Sequence, residues 1–479
     1  MEKLEGQQCL ALYLPQDKDY RVMGVAGSGK TLIAMYRFIF LYLENPDKNI
    51  ELLTYNKPVN EDIKKKIVNI CDYLSKVETG NKVELLRSLM KKIISSMTSK
   101  NRRVFEKEYR SIMLDDSLQS NVNAEVETVY TFCHNEINLN YKILSGKPYK
   151  KEHYERLINS YKQHAELPDR SVQFFVDEIQ WLIEMNIVNV QDYIDMDRIG
   201  RRGTRLIKGE PRKQIFGLFM QYLNDINDGK HEYSMDNIYN FLFNAVDIKE
   251  QNKVDFLIVD EFQDLCLNMM QALRKCVRDN GNVLFLGDSE QNIFGSRIAW
   301  KDTGFVGSNI LHLDHVYRST DEICEFAKKI LDDPRYLRDE EDEFLSPFQI
   351  GIKGEKPQLV NCSSKDEMIT LIRTWLKKYK GKTAIICCNN EYLSELRYYV
   401  HSQSGDIDVV SIKRVKGMEY DNVIIPYYDR FDVDIKTNGE KTKDEVIGEH
   451  LRKLYVAVTR ARRNLLLVTT KGNTEYERV

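Results

Sequence analysis

The segment Gly24-Val25-Ala26-Gly27-Ser28-Gly29-Lys30-Thr31 constrains this chain more than any other. It fits the pattern G-x-x-x-x-G-K-T, follows the apolar run Tyr20 to Met23, and precedes an apolar-periodic stretch that reads as a helix from Lys30 onward. Glycines let backbone N–H groups wrap an anion, and a helix N-terminus adds a favourable dipole. Lys30 supplies a point charge, and the Thr31 hydroxyl suits a magnesium ion. The plain alternative is a Gly-rich strand-to-helix turn; the strand before it and the helix after it favour a phosphate cradle.

A second segment fits the first. Phe256-Leu257-Ile258-Val259-Asp260-Glu261-Phe262-Gln263-Asp264 is an apolar strand ending in acids. Carboxylates at the C-terminal end of a parallel strand sit where α/β folds bind ligands. Asp260 is placed to hold a metal and Glu261 to polarise a water that attacks a terminal phosphate. An acidic strand cap would explain one carboxylate, but not Asp-Glu followed by Gln-Asp.

Around these segments, β-rich runs alternate with helical stretches. Tyr20 to Met23, Ile50 to Thr54, Val126 to Thr131, Phe256 to Asp260 and Val283 to Gly287 read as buried parallel strands of one sheet. Leu311 to His315, Gln358 to Cys362, Thr383 to Cys388, Val409 to Ile412, Val423 to Pro426 and Leu465 to Thr469 read as a second. Between residues 135 and 252 the pattern turns helical, as in the stretch Ser171 to Leu182. The expected division is 1–134 with 253–310 for the first α/β domain, 135–252 for a helical insertion in it, and 311–479 for the second. The acidic run Asp339 to Glu343 reads as a solvated loop.

Composition excludes some classes. At 479 residues, with 42% hydrophobic and 30% charged residues, the chain is globular and long enough for several cores. The nine cysteines form no C-x-x-C pair, so neither a zinc site nor a disulfide framework is indicated. No membrane span or signal peptide is evident, which points to the cytoplasm. A net charge of −3 means that any nucleic-acid surface must come from local clustering.

Taken in order, the motifs resemble the UvrD/Rep-like branch of superfamily 1 helicases, whose second motif reads Asp-Glu-x-Gln-Asp. Gln8, with Gln7 as the alternative, resembles the adenine-reading glutamine. Thr54-Tyr55-Asn56-Lys57 and Thr131-Phe132-Cys133-His134 resemble strand-contacting motifs. Leu286 to Phe294 is similar to the third motif, in which Gln291 would sense the γ-phosphate. Tyr317-Arg318-Ser319 resembles the fourth, with the aromatic on adenine and the arginine at the γ-phosphate. Lys416-Gly417-Met418-Glu419-Tyr420 is similar to the fifth, with Glu419 near the ribose, and Leu454 to Ala461 to the sixth, with Arg460 as a second arginine finger.

The resemblance implies two RecA-like P-loop domains with parallel sheets plus a mainly helical insertion in the first. ATP and Mg2+ would lie between the domains, held by Gln8, Gly24, Ala26, Gly27, Ser28, Gly29, Lys30, Thr31, Asp260, Tyr317 and Glu419. Catalysis would fall to Lys30, Glu261, Gln291, Arg318 and Arg460, and closure of the cleft would bring the two arginines onto ATP. Single-stranded DNA, or DNA with a 3′ tail, would cross both domains, with movement 3′ to 5′.

Tyr55, Asn56, Phe132, Phe294 and Lys413 are the candidate strand contacts, together with Arg201 and Arg202. The last two belong to a run from Arg198 to Lys213 that holds seven basic residues against one acid, Glu210. Such a run neutralises phosphates or is simply a solvated loop. Tyr55, Phe294 and Trp300 are equally candidates for core positions.

The sequence departs from the family at three places. Ser296 stands before Arg297 where an aromatic is common, Lys413 stands where the fifth motif usually has histidine, and only 92 residues, Ser319 to Val410, separate the fourth and fifth motifs. The last leaves no room for the large mobile domain that well-studied relatives insert there. Strand separation is therefore less secure than translocation. The rival expectation is a nucleic-acid-responsive ATP switch within a larger assembly, such as an anti-phage system with a nuclease partner.

Overall fold

The computed structural model describes residues 4–118, 121–141, 150–195, 210–226, 237–291, 300–305, 309–336, 345–349, 351–387, 390–400, 406–430 and 443–470. Two parallel sheets organise them. The first is built from β1 (Tyr20–Gly24), β2 (Ile50–Thr54), β3 (Ala124–Thr128), β4 (Val254–Asp260), β5 (Val277–Gly287) and β6 (Asn309–Leu313), in the order β3-β2-β4-β5-β1-β6. After a short pair, β7 (His315–Val316) with β8 (Phe348–Gln349), come β9 (Gln358–Cys362), β10 (Thr383–Cys387), β11 (Ile407–Ser411), β12 (Tyr420–Pro426) and β13 (Ala461–Thr470). These last five form the second sheet in the order β11-β10-β12-β13-β9. Every ladder is parallel, so all C-terminal strand ends of one sheet lie along one edge.

Val25 and the other P-loop residues leave β1 directly into the helix Lys30–Glu44. That helix buries Leu32, Ile33, Met35, Phe38, Ile39, Leu41 and Tyr42 against the first sheet. At about 1.5–3 kcal/mol for each large apolar side chain buried, this fixes the helix N-terminus, and with it the loop. Four helices between β2 and β3 cover the sheet on the same side.

Between β3 and β4 lies the helical insertion. Its helix Val172–Glu184 starts at Ser171, whose hydroxyl accepts from Phe174 N at 3.1 Å, and it packs an aromatic core with Tyr154, Tyr193, Phe219 and Tyr222. A network of amides joins the insertion to the helix Leu267–Cys276, which connects β4 to β5. Asn186 Nδ2 donates to Gln271 Oε1 (2.9 Å), Asn240 Nδ2 to Asn186 Oδ1 (2.7 Å) and Asn268 Nδ2 to Asn240 Oδ1 (2.8 Å).

Three expectations are corrected. The run expected as a strand from Val126 to Thr131 ends at Thr128, and Val129–Tyr141 is a helix that straddles the expected division at residue 134. Its Val129, Phe132, Cys133 and Ile137 share one buried face at spacings of three and four. The run at Leu311 belongs to the first sheet, since β6 pairs with β1 from Tyr20↔Asn309 to Gly24↔Leu313. Arg212 is a core residue of the insertion rather than part of a basic surface. It is 2% exposed and donates to the carbonyls of Tyr193 and Ile194, both at 2.7 Å.

Candidate nucleotide site between the two sheets

The C-terminal ends of β1, β4 and β5 converge on the P-loop. Gly27 (φ 78°) and Gly29 (φ 87°) adopt left-handed backbone that side chains rarely enter, and a Cβ on Gly29 would collide with the Gln8 amide. Gln8 is buried beneath the loop, donating from Nε2 to Ser28 O (2.9 Å) and accepting from Glu5 N (2.9 Å). Gln7 turns away and donates to Asp314 Oδ1, so of the two glutamines Gln8 is the one that lies against the loop. Lys30 Nζ donates to the carbonyls of Gly24 (2.7 Å) and Val25 (3.0 Å). Ala26 packs into the core of the second sheet, and Tyr317 N donates to Gly27 O at 3.1 Å. The loop thus touches both units.

Thr31 Oγ1 donates to Asp260 Oδ2 at 2.7 Å. Asp260 is 1% exposed and its Oδ1 has no hydrogen-bond partner among the described residues, as is also true of the buried Ser28 Oγ. Burial, then the neighbouring Glu261, pushes the Asp260 carboxyl well above the usual carboxylate range. The strand ends abruptly because Glu261 is left-handed (φ 56°), a conformation that costs a non-glycine residue about 1–2 kcal/mol. Burial alone would raise Glu261, but Lys416, Lys30 and Arg460 hold it below its ordinary value, and Gln263 Nε2 donates to its Oε2 at 2.5 Å. It is therefore an ionised carboxylate in a positive setting.

From the end of β5, Asp288 N donates to Gln263 Oε1 (3.1 Å) and Asp288 Oδ2 accepts from Gln291 Nε2 (2.6 Å). Gln291 Oε1 accepts from Arg460 Nη2, and Gln291 O from Lys416 Nζ. Lys416 also forms a buried ion pair with Asp264. Lys416 and Arg460 come from the second sheet's unit, so each acidic or amide motif of the first is gripped by a cation of the second.

At the mouth, Arg318 Nη1 meets Glu419 Oε1 at 2.5 Å, while Arg462 grips Glu419 Oε2 through Nη2 (2.6 Å) and Nε (3.0 Å). Burial works against the Glu419 charge, but the two guanidiniums bring its carboxyl down to about 2. Gln8, Leu32, Tyr317, Arg318, Arg462 and Arg463 line an open cleft of about 300 Å³ here.

The expected nucleotide residues therefore converge. Residue families matched along the chain agree with this geometry: the UvrD/REP helicase N-terminal domain matches residues 4–303, and the UvrD-like helicase C-terminal domain matches residues 397–472. The chain belongs to the UvrD/REP helicase family. Among curated relatives, the ATP-dependent DNA helicase Rep of Buchnera aphidicola is 19% identical over 378 residues, 75% of this chain and 50% of that protein. DNA helicase II of Rickettsia typhi is 25% identical over 123 residues, 24% of this chain and 18% of that protein. An uncharacterized ATP-dependent helicase of Methanocaldococcus jannaschii is 23% identical over 200 residues, 36% of this chain and 28% of that protein. This UvrD/REP-family chain thus spans half the length of the Buchnera relative.

The expected strand contacts converge less well. Phe132 is 3% exposed in the core with Val129, Ile238 and Leu242, so it presents no face to a nucleic acid, and that expectation is corrected. Tyr55 is half-buried against the same core, and burial pushes its hydroxyl up to about 12. Asn56 caps the helix Lys57–Ser75, its Oδ1 accepting from Val59 N at 3.0 Å. Trp300 stands in an aromatic cluster with Phe262, Phe285 and Phe305, with the Arg21 guanidinium 4.4 Å from its ring centroid. Lys413 lies in the one-turn helix Ile412–Val415, and its side chain is outside the described residues. Phe294, Arg201, Arg202, Ser296, Arg297, Cys388 and the acidic run Asp339 to Glu343 also fall outside them.

Sequence reasoning named no role for Asp264, Gln263, Asp288, Lys416 or Arg462. Four of them stand within or beside the quoted motifs, which was the available signal. Arg462, two residues past Arg460, carried none beyond its charge.

Proposed function

We propose that this chain is an ATP-hydrolysing motor on single-stranded DNA, moving 3′ to 5′, whose two RecA-like domains close on each ATP. The cross-sheet contact of Gln291 with Arg460 carries this reading most directly, because it joins the third-motif glutamine of one domain to the sixth-motif arginine of the other. We assign residues up to Leu313, apart from the insertion, to the first domain and the remainder to the second.

The residues present suit a magnesium nucleotide. Asp260 Oδ1 and Ser28 Oγ are buried polar atoms without hydrogen-bond partners among the described residues, and Asp260 with the Thr31 hydroxyl, one carboxylate and one hydroxyl, is a donor set typical of Mg2+ held together with phosphates. Bound there, the ion would neutralise charge on the phosphate oxygens. The chain's own groups do the rest. Lys30 offers its ammonium to the phosphates in exchange for the loop carbonyls. Glu261, ionised and fixed by Gln263, orients a water and accepts its proton. Arg460 and Arg318 approach from the second domain as the cleft tightens, which ties hydrolysis to domain movement. Tyr317 and Gln8 hold the base.

The short spacing between the fourth and fifth motifs, whose described residues build β8 to β10, most of β11 and three helices, supports a compact motor acting with a partner protein rather than a self-sufficient unwinding enzyme, and we place its action in the cytoplasm. The test is steady-state ATPase activity with and without single-stranded DNA. Stimulation by the strand, abolished in Lys30→Ala and Glu261→Gln, is expected. A rate indifferent to DNA and RNA refutes the motor while sparing the phosphate site. A tailed-duplex displacement assay then separates unwinding from translocation.

A further inference from the structure

Glu419 is held from two sides by arginines that come from different places in the second unit. Arg318 follows the short strand β7, and Arg462 stands on β13. Both lie on the wall of the cleft that opens beside the P-loop. The segment carrying Arg318 is tied to β13 as well, since Ser319 Oγ donates to Ala461 O (2.8 Å) and Thr320 N to Arg462 O (3.1 Å). The three side chains are therefore mounted on one rigid frame.

The two arginines are not equivalent. Arg318 reaches Glu419 Oε1 through one nitrogen, Nη1, with its side chain 14% exposed. Arg462 reaches Oε2 through two nitrogens, Nε and Nη2, so two charge-assisted donors converge on the one carboxylate oxygen that Arg318 does not use. The Glu419 side chain is 23% exposed, so most of its hydration has been surrendered and its charge depends on these partners.

A nucleotide whose phosphates occupy the P-loop sets a problem for this arrangement. Arg318 serves a phosphate only by leaving Glu419, and a carboxylate stripped of its cation in a partly dehydrated wall resists that departure. We infer that Arg462 is a positioning residue for ATP hydrolysis: it keeps Glu419 neutralised, so that Arg318 is released toward the phosphates instead of being trapped on the carboxylate. The inference rests on the proposed function and deepens it. It also explains why one carboxylate takes two guanidiniums, where a single pair would suffice to fix either.

The experiment is a double-mutant cycle on kcat and KM for ATP, with single-stranded DNA present. In Arg462→Ala, Arg318 is the remaining cation on Glu419; kcat is expected to fall at least tenfold, with KM within threefold of the parent. Arg462→Lys, which supplies charge without the fork, is expected to recover part of that loss. In the Glu419→Gln background the trap no longer exists, and adding Arg462→Ala is expected to lower kcat less than twofold. A loss of the same size in both backgrounds means that Arg462 is merely structural and overturns the inference. So does an Arg462→Ala enzyme with the parent's kcat. Both outcomes require an active parent chain; a parent without ATPase activity overturns the proposed function first.

Discussion

Among the described residues, the ion pair between Lys416 and Asp264 is a deeply buried charge contact joining the two units, with side chains 1% and 3% exposed. Replacing Lys416 by Met keeps the length and apolar stem but removes the cation from Asp264 and a donor from the Gln291 carbonyl. Taking one partner from a buried pair costs about 3–5 kcal/mol, because the other charge stays behind dehydrated. In a unit of 150–250 residues each kcal/mol lowers the melting temperature by about 2–4 °C, so a drop of roughly 6–20 °C is expected. The lower end is favoured, since the cleft opens and rehydrates Asp264 once opening costs less than the buried charge.

The sign of the pH dependence follows from Asp264 itself. Burial raises its carboxyl to about 6 even though Lys416 opposes the shift. A carboxyl whose folded pKa is raised takes up a proton more readily when native than when unfolded, so acidification relieves its cost. The gap between Lys416→Met and the parent is therefore wider at pH 8 than at pH 5.5. Differential scanning fluorimetry at both pH values reads it, and Asp264→Asn added to Lys416→Met recovers more than half of the loss. A drop below 2 °C, or a double variant no more stable than the single, refutes the reasoning.

Two other outcomes are expected. Phe132→Ala empties a core position and costs about 3–5 kcal/mol in chemical denaturation, yet leaves single-strand affinity unchanged below the new melting point; a loss of affinity beyond about fivefold, read by fluorescence anisotropy, would return Phe132 to the DNA interface. His450 is 2% exposed, and burial, aided by Lys453 and Arg335, lowers its imidazole to about 4. The native state thus binds the proton less readily than the unfolded chain. Stability is full above the ordinary value near 6.5 and declines by about 3 kcal/mol as the pH falls from there to 4. His450→Leu flattens that decline, and an unchanged pH profile would refute the assignment.

What the sequence disclosed was the local part of this design. β2 runs from Ile50 to Thr54 as its apolar pattern requires, and Gly24 to Thr31 forms the loop because its glycines and lysine perform local chemistry. Two kinds of information lay outside such patterns. A parallel edge strand carries no label for its sheet, and β6, with only Leu313 fully buried, was credited to the following strands instead of to β1, almost 300 residues earlier. The run after Thr128 offered both a β-rich composition, Val-Tyr-Thr-Phe, and a helical spacing of Val129, Phe132, Cys133 and Ile137; packing against Ile238 and Leu242 decided for the helix. Pairings such as Lys416 with Asp264, 152 residues apart, and Arg462 with Glu419, 43 apart, are written only in the tertiary fold.

The same local path recurs at the end of the central strand of each sheet. β4 breaks at left-handed Glu261 (φ 56°) into the 3₁₀ turn Phe262–Asp264, and β12 breaks at left-handed Tyr427 (φ 54°) into the 3₁₀ turn Tyr428–Arg430. Each break puts a non-glycine residue where it costs about 1–2 kcal/mol, so neither is accidental to its turn. In the first sheet the strained residue is a carboxylate; in the second it is a tyrosine, 4% exposed and stacked on Tyr392 at a centroid distance of 4.3 Å. Two sheets share one kind of turn, but only the first places a carboxylate at the left-handed position, so the pair is unequal. The proposed chemistry is therefore confined to one cleft, to which the second sheet contributes cations from other positions, Arg318 beyond β7, Lys416 before β12 and Arg460 before β13. Because those cations stand on a separate sheet, the proposed hydrolysis requires the two units to come together, which is the condition for coupling it to movement.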